Sequence, residues 1–137
     1  MEILEQLENI KKSVSDKYPK QQLLTDNLFA IVVEMLSVDY RSISSGGKRI
    51  AVFKEYMLSL IKQALENGGQ KNYMLDLINV FKNTIIFDYL SRSFGNKSNE
   101  LRRTIDVSYD ILFAWQGFEG QKWRRMETIE KMFRAIK

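Results

Sequence analysis

Cations dominate the possible chemistry of this chain, because its 137 residues include no cysteine and no histidine. Their absence excludes cysteine nucleophiles, Ser-His-Asp triads, histidine general bases and the metal centres that use these ligands. The 21 Lys and Arg outnumber the 17 Asp and Glu, which gives a net charge of +4. We therefore expect a protein that is not an enzyme, that uses no metal or cofactor, and that binds an anionic partner.

The first candidate anion site is the Ser-Ser-Gly-Gly-Lys-Arg segment at residues 44–49, with Arg41 just before it. Free N–H groups and the helix dipole favour a phosphate at the start of a helix, and Lys48 and Arg49 add charge there. The segment is not a Walker A loop, which needs glycine where this chain has Ser42 and a hydroxyl where it has Arg49. An ordinary turn with a serine N-cap is the alternative.

A second basic cluster surrounds a glycine turn in the second half of the chain, where the whole charge excess lies. Residues 1–69 carry nine cations and nine carboxylates, and residues 70–137 carry twelve cations and eight carboxylates. Cations in the first turns of a helix oppose its dipole, which favours an external anion as their partner. A solvated face paired with Glu100 and Asp106 is the alternative. The cluster consists of Arg92, Lys97, Arg102 and Arg103.

The third basic cluster makes the last helix cationic. Trp123 lies among its charges and could stack on a base, although a Trp at this position is more often part of a core. Tyr40, Tyr56 and Tyr109 are further candidate contact residues. The cluster consists of Lys122, Arg124, Arg125, Lys131, Arg134 and Lys137.

Paired carboxylates able to hold Mg²⁺ are not expected. Only Asp106 and Asp110 share a helix face, at i and i+4, and Arg102 and Arg103 lie close enough to pair with them. This spacing is typical of surface ion pairs.

Apolar residues at helical spacing, separated by glycines and the single proline, predict an all-α protein. We expect one domain over residues 1–137, a single bundle of five or six helices. The fourth helix is apolar on nearly every side and belongs at the centre, whereas the third places Lys54 and Lys62 on its outer face. Ser98 is the predicted N-cap of the fifth helix. The predicted helices cover about 2–14, 22–38, 48–66, 71–93, 98–117 and 121–136.

The sequence also favours a cytoplasmic location without membrane contact. Glu2, Glu5 and Glu8 lie where a signal peptide would be basic and then apolar. The most apolar run, residues 28–38, is interrupted by Glu34 and is much shorter than the roughly 20 residues that span a bilayer.

From Ser37 to about Trp123, the order of these features resembles the C-terminal helical region of the large subunit of type I-D CRISPR effector complexes. In those complexes this region is also made as a separate small subunit. The features that carry the resemblance are the serine-rich turn into a basic helix at 44–49, the acidic and apolar helix ending in aromatics at 76–89, the glycine turn and Leu-Arg-Arg at 94–103, and the aromatic segment at 111–115.

The resemblance implies a non-catalytic subunit, present in more than one copy, of an RNA-guided surveillance complex. Its partners would be the large subunit and the backbone subunits, further copies of itself, the guide RNA and the target DNA. Its basic face would hold the displaced strand or the guide–target duplex through phosphates without reading bases. The residues assigned to this contact are Arg41, Lys48, Arg49, Arg92, Lys97, Arg102, Arg103, Lys122, Arg124 and Arg125.

Two other classes of protein fit the composition. A helical adaptor module with no nucleic-acid role would carry an exposed apolar groove. A helix-turn-helix regulator would join the third and fourth helices through residues 67–69, but the fourth helix is too apolar to present a polar recognition face to a major groove.

Overall fold

The computed structural model describes residues 2–67, 70–114 and 122–136, with the side chains of all of these except 114 and 122–125. The described residues form helices and no strand, so the predicted all-α bundle is confirmed. Short 3₁₀ turns at Pro19–Gln21, Tyr40–Ser42 and Gly95–Lys97 connect some of the helices. The α-helices are α1 (Glu2–Lys17), α2 (Gln22–Ser37), α3 (Gly46–Glu66), α4 (Lys71–Lys82), α5 (Thr84–Phe94), α6 (Ser98–Ala114) and α7 (Lys122–Ala135).

The predicted fourth helix is two helices, so the prediction of a continuous helix over 71–93 is wrong. Asn83 leaves the helical conformation at φ −58° and ψ 128°, and its side-chain oxygen accepts a hydrogen bond of 3.0 Å from the Ile85 N–H. Asparagine is a strong N-cap because its short side chain satisfies a free amide at a helix start. The apolar period continues across this cap, which is why periodicity alone missed the break.

The break separates a central helix from a surface helix. As predicted for the centre of the bundle, α4 packs against α1 and α6 and buries large side chains, among them Tyr73 and Phe81. In contrast, α5 buries one stripe, Ile86, Leu90 and Phe94, and its other side chains are half-buried or exposed. α3 packs against α2, α6 and α7. Buried apolar residues from each of the described α-helices contribute to the core.

The start of α6 differs from the prediction that Ser98 is an N-cap. Ser98 is already helical at φ −60° and ψ −32°, and its hydroxyl donates a hydrogen bond of 2.8 Å to the Gly95 carbonyl. The chain changes direction between α5 and α6 at Gly95, which has a φ of +53° and a ψ of −118°. Side chains rarely tolerate this conformation, so glycine is required there. The turn Gly95–Lys97 therefore leads directly into α6.

Candidate nucleic-acid interface

The first two basic clusters of the sequence meet at one end of the bundle. The turn Tyr40–Ser42 packs against α5, and the turn Gly95–Lys97 packs against α3. An Arg41 guanidinium nitrogen lies 3.5 Å from the Arg92 carbonyl oxygen. A Cβ atom at Gly46 would lie 3.1 Å from Cγ of Lys97, so glycine lets the two segments approach closely. We call this surface the basic end; it consists of Arg41, Lys48, Arg49, Arg92 and Lys97.

Three aromatic rings support the basic end from inside. The Phe94 ring centroid lies 4.8 Å from that of Tyr40 and 5.9 Å from that of Phe53. The Tyr40 hydroxyl donates a hydrogen bond of 2.8 Å to the Met35 carbonyl, and burial raises its pKa. The prediction of Tyr40 as a contact residue is therefore wrong, because its ring holds the turn 40–42 against α5.

The start of α3 follows the predicted serine cap. Ser45 is extended and its hydroxyl accepts a hydrogen bond of 3.2 Å from the Lys48 N–H, so the helix begins at Gly46, earlier than expected. Arg49 folds back over the preceding turn, donating from Nε to the Ile43 carbonyl at 3.0 Å and from Nη2 to the Arg41 carbonyl at 3.3 Å. These contacts fix the turn before the helix.

The charge of the basic end is largely uncompensated. Arg41 and Arg49 donate to backbone carbonyls, which carry no net charge and leave each guanidinium fully cationic. Among the described residues, Lys97 is the only member of the basic end in a salt bridge, with its ammonium 3.6 Å from a Glu100 oxygen. The side chains of Lys48 and Arg92 are exposed. Several positive charges therefore face solvent together.

Glu100, the carboxylate that contacts Lys97, has a shorter contact with another lysine. Lys54 of α3 donates a hydrogen bond of 2.6 Å to it, and the two side chains are only 14% and 11% exposed. Burial by itself would raise the pKa of Glu100, but the hydrogen bond and charge of Lys54, aided by Lys97, outweigh burial and lower it. Lys54 is thus part of a buried pair, and the prediction that it faces solvent is wrong.

Arg102 and Arg103 lie on the exposed face of α6, beyond the basic end. The Arg102 guanidinium carbon is 4.6 Å from the centroid of the Phe87 ring. It borders an open cavity of about 400 Å³ between α4, α5 and α6. The cavity is lined by Phe81, Lys82, Thr84, Phe87, Asp88, Arg102, Ile105 and Asp106.

Two more aromatic residues with cations above them follow along α6. The Lys82 ammonium lies 4.3 Å from the Tyr109 centroid, and the Lys71 ammonium lies 4.0 Å from the Phe113 centroid. The two rings are nearly parallel, at 16°, with centroids 6.4 Å apart. We call this line the aromatic seam; it consists of Phe87, Tyr109 and Phe113 with Arg102, Lys82 and Lys71.

Sequence reasoning identified Arg102 and Tyr109 as candidate contact residues, but it did not bring them together and did not identify Phe87, Phe113, Lys71 or Lys82 as part of a site. The signal is the spacing of Arg102, Tyr109 and Phe113, which recur at i, i+7 and i+11 and so share one helix face. Asp106 lies on the same face, and its carboxylate is 3.7 Å from the Lys82 ammonium. Its structural partner is therefore Lys82 of α4, not the predicted arginines of its own helix.

The third basic cluster contributes little charge where the structure describes it. Lys131 pairs with Glu127 at 3.4 Å, and Arg134 lies 3.8 Å from Glu130, so cation and carboxylate alternate on the exposed face of α7. The remaining predicted contact residues fall outside the described side chains or residues; they are Lys122, Arg124 and Arg125, with Trp123 and Lys137.

Comparison with known proteins gives this chain no assignment, because no family model, no curated protein and no solved structure matches it. Within the described ranges, no helix is both long and apolar enough to cross a membrane.

Proposed function

We propose that this protein binds the sugar–phosphate backbone of nucleic acid through its basic end, without reading base sequence and without catalysis. The observation that carries the proposal is the convergence of two separate basic clusters into one surface, where the described residues make a single salt bridge, at Lys97. Lysine and arginine that are not neutralised internally attract a polyanion, and release of its counterions drives binding.

The arrangement of the basic end favours backbone contact over base readout. Its cations lie on two 3₁₀ turns, the start of α3 and the end of α5, so no helix projects there to enter a major groove. The helix-turn-helix alternative requires α4 as recognition helix, but α4 packs between α1 and α6 and buries Tyr73, Leu77 and Phe81. Its exposed side is a narrow stripe, Asn72, Asn79 and Lys82, and the Lys82 ammonium lies 3.7 Å from the Asp106 carboxylate, so little of α4 is available to read base edges.

The resemblance to the helical region of the type I-D large subunit extends this proposal to a biological setting. In that setting the protein is a cytoplasmic small subunit of an RNA-guided CRISPR complex, and its basic end holds the displaced strand or the guide–target duplex. The large subunit, the backbone subunits and further copies of the same chain are then its partners. Co-purification with such subunits tests this setting separately from nucleic-acid binding.

The direct test is charge reversal at the two members of the basic end whose exposed side chains make no hydrogen bond or salt bridge among the described residues. Lys48→Glu with Arg92→Glu should weaken binding to a random-sequence DNA duplex at least tenfold at 100 mM salt. The slope of log affinity against log salt should become shallower by about 2, one per lost phosphate contact. Fluorescence anisotropy over several salt concentrations measures both quantities.

Lys12→Glu with Lys20→Glu is the matched control, because it changes net charge equally at exposed positions away from the basic end. Lys20 precedes the start of α2, and Arg41 follows its end, so about 24 Å of helix separates them. The control should lose only a small part of the affinity through net charge. Equal losses in both variants would reject a localised site, and the proposal also fails if the native protein does not bind at low salt.

The adaptor module is the second candidate, and one observation favours it. Leu23 and Val33 on α2 are 75% and 39% exposed, in the most apolar of the α-helices. A protein partner that covers α2 would remove this apolar surface from water. Loss of partner capture in Leu23→Asp, with unchanged binding of nucleic acid, would assign the two surfaces to different partners.

A further inference from the structure

One ring of the aromatic seam, that of Phe113, is exposed to solvent. Phe113 is 54% exposed, although every other phenylalanine with a described burial is buried or half-buried. Phe113 lies on the outer face of α6, where a polar residue would be the ordinary choice. Its ring is nearly parallel to that of Tyr109, one helical turn away. The two rings form one aromatic surface, of which Phe113 is exposed and Tyr109 is half-buried.

The cations of the aromatic seam add a phosphate-binding element to this surface. Lys71 lies over Phe113, Lys82 over Tyr109 and Arg102 over Phe87, so each ring has one cation over one of its faces. The Asp106 carboxylate within the seam is partnered by Lys82. Proteins bind single-stranded nucleic acids with cations placed between accessible rings, since phosphates pair with the cations and unpaired bases stack on the rings. In the seam Phe113 is exposed, and Phe87 and Tyr109 are half-buried.

The seam continues from the basic end. The turn Gly95–Lys97 leads directly into α6, and Arg102 lies about 6 Å along the helix axis from Ser98. Phe113 lies about 22 Å from the same point at 1.5 Å per residue. A strand whose backbone is held at the basic end therefore has a path along α6 that passes all three rings. A duplex on this path would keep its bases stacked inside and leave the rings unused.

We propose that the aromatic seam stacks the unpaired bases of a single-stranded nucleic acid whose backbone the basic end holds. The inference rests on the proposed function and narrows its substrate to single strands. Phe113 supplies the most exposed stacking surface, and Tyr109 extends it. Arg102 and Lys71 contact the phosphates that flank the stacked bases. Recognition is independent of sequence, because every base has an aromatic face.

Phe113→Leu tests the inference, with a 15-nucleotide thymidine strand, its uridine counterpart, an abasic strand of equal length and a duplex as probes. Loss of one stacked base should weaken binding of the thymidine or uridine strand about tenfold. Binding of the abasic strand and the duplex should change less than twofold. Phe113→Tyr keeps the ring and should retain native affinity for all probes, which separates stacking from a folding defect. Leu23→Ala shortens a still more exposed apolar side chain, on α2, and should leave binding of every probe unchanged.

The outcomes separate this inference from the proposed function. If Phe113→Leu and Phe113→Tyr bind every strand as the native protein does, while Lys48→Glu with Arg92→Glu weakens them all, the seam has no role and the basic end stands. An equal loss on base-containing and abasic strands would also overturn stacking. If the native protein binds none of the probes, both proposals fail.

Discussion

The basic end and the side of α3 that packs against α6 and α7 use the same kinds of cationic side chain in opposite ways. We call this second region the flank; it consists of Lys54 and Lys62 of α3 with Glu100 of α6 and Glu130 of α7. At the basic end, Arg41 and Arg49 donate to backbone carbonyls. On the flank, Lys54 is bound to Glu100 at 2.6 Å, and Lys62 forms a close salt bridge with Glu130 of α7. A carbonyl partner orients a cation and leaves its charge available, whereas a carboxylate partner cancels it.

The difference teaches that the partner of a cation, more than its position in the sequence, decides its role. A cation paired with a carboxylate stabilises the fold, and a cation without one is available to bind an external anion. Lys54 and Lys48 lie on the same helix, less than two turns apart. Lys54 also donates to the Ile136 carbonyl at 2.8 Å and so holds the end of α7 against α3. We therefore expect substitutions on the flank to change mainly the free energy of unfolding, and substitutions at the basic end to change mainly the affinity for nucleic acid.

The largest expected effect on stability comes from Lys54→Met. The substitution leaves Glu100 with Lys97 as its one remaining cationic partner in the described part of the chain, and we expect the free energy of unfolding to fall by about 2–3 kcal/mol. This is less than for a fully buried pair, since both side chains keep some exposure. Urea denaturation measures the change. Affinity for nucleic acid, corrected for the folded fraction, should stay within twofold.

Lys62→Met is the matched control for that variant, because it breaks a lysine–glutamate pair whose side chains are 31% and 29% exposed. A much smaller loss is expected, as solvent screens the more exposed pair. If Lys54→Met were no more destabilising than Lys62→Met, burial would not distinguish these pairs. If Lys54→Met abolished binding in the folded protein, the separation of flank and basic end would be wrong.

The next largest effect tests the backbone of the basic end. Gly95→Ala places a side chain at φ +53° and ψ −118°, and we expect a loss of about 1–2 kcal/mol in the free energy of unfolding. Gly47→Ala is the control, because a Cβ there meets no atom within 4 Å and alanine favours the first turn of α3. The control should be neutral or slightly stabilising, and a destabilisation equal to that of Gly95→Ala would contradict the role of positive φ.

The sequence was sufficient for the fold class and for most helix limits, because apolar residues at 3.6-residue spacing report which faces are buried. It failed at Asn83, where the apolar pattern runs unbroken through a cap. It failed at Lys54 for a different reason. A lysine opposite the apolar stripe of its own helix is normally solvated, and only the packing of α6 and α7 against α3 makes it buried.

The candidate site was predictable in its parts but not in its assembly. The sequence identified Arg41, Lys48 and Arg49 in one cluster and Arg92 and Lys97 in another, since each set is local. Their meeting depends on tertiary contacts, such as the approach of Lys97 to Gly46, that no local pattern encodes. The aromatic seam depends likewise on cations from α4 placed over rings from α6.

A smaller effect is expected at the cap of α3. Ser45→Ala removes the hydroxyl that accepts from the Lys48 N–H, which should cost about 1 kcal/mol of stability. The loss should be the same at low and high salt, because a bond between hydroxyl and amide carries no net charge. Ser44→Ala is the control, since Ser44 is exposed and makes no hydrogen bond among the described residues. Equal losses of stability in the two variants would show that the Ser45 hydroxyl does not stabilise the start of α3.

The smallest effect is a pH dependence of stability that comes from Glu100 on the flank. The pKa of Glu100 lies below its ordinary value of 4.5 because the contacts with Lys54 and Lys97 outweigh its burial. Its contribution to stability is therefore complete above about pH 5.5, where the unfolded carboxyl is also ionised, and decreases as pH falls through 4.5 towards the folded pKa. Lys54→Met removes the main cause of the lowered pKa. The difference in unfolding free energy between this variant and the native protein, measured in urea at pH 7 and pH 4, should thus be smaller at pH 4. An equal difference at both values would mean that Lys54 stabilises the fold by packing or by its bond to the Ile136 carbonyl, and not through the charge of Glu100.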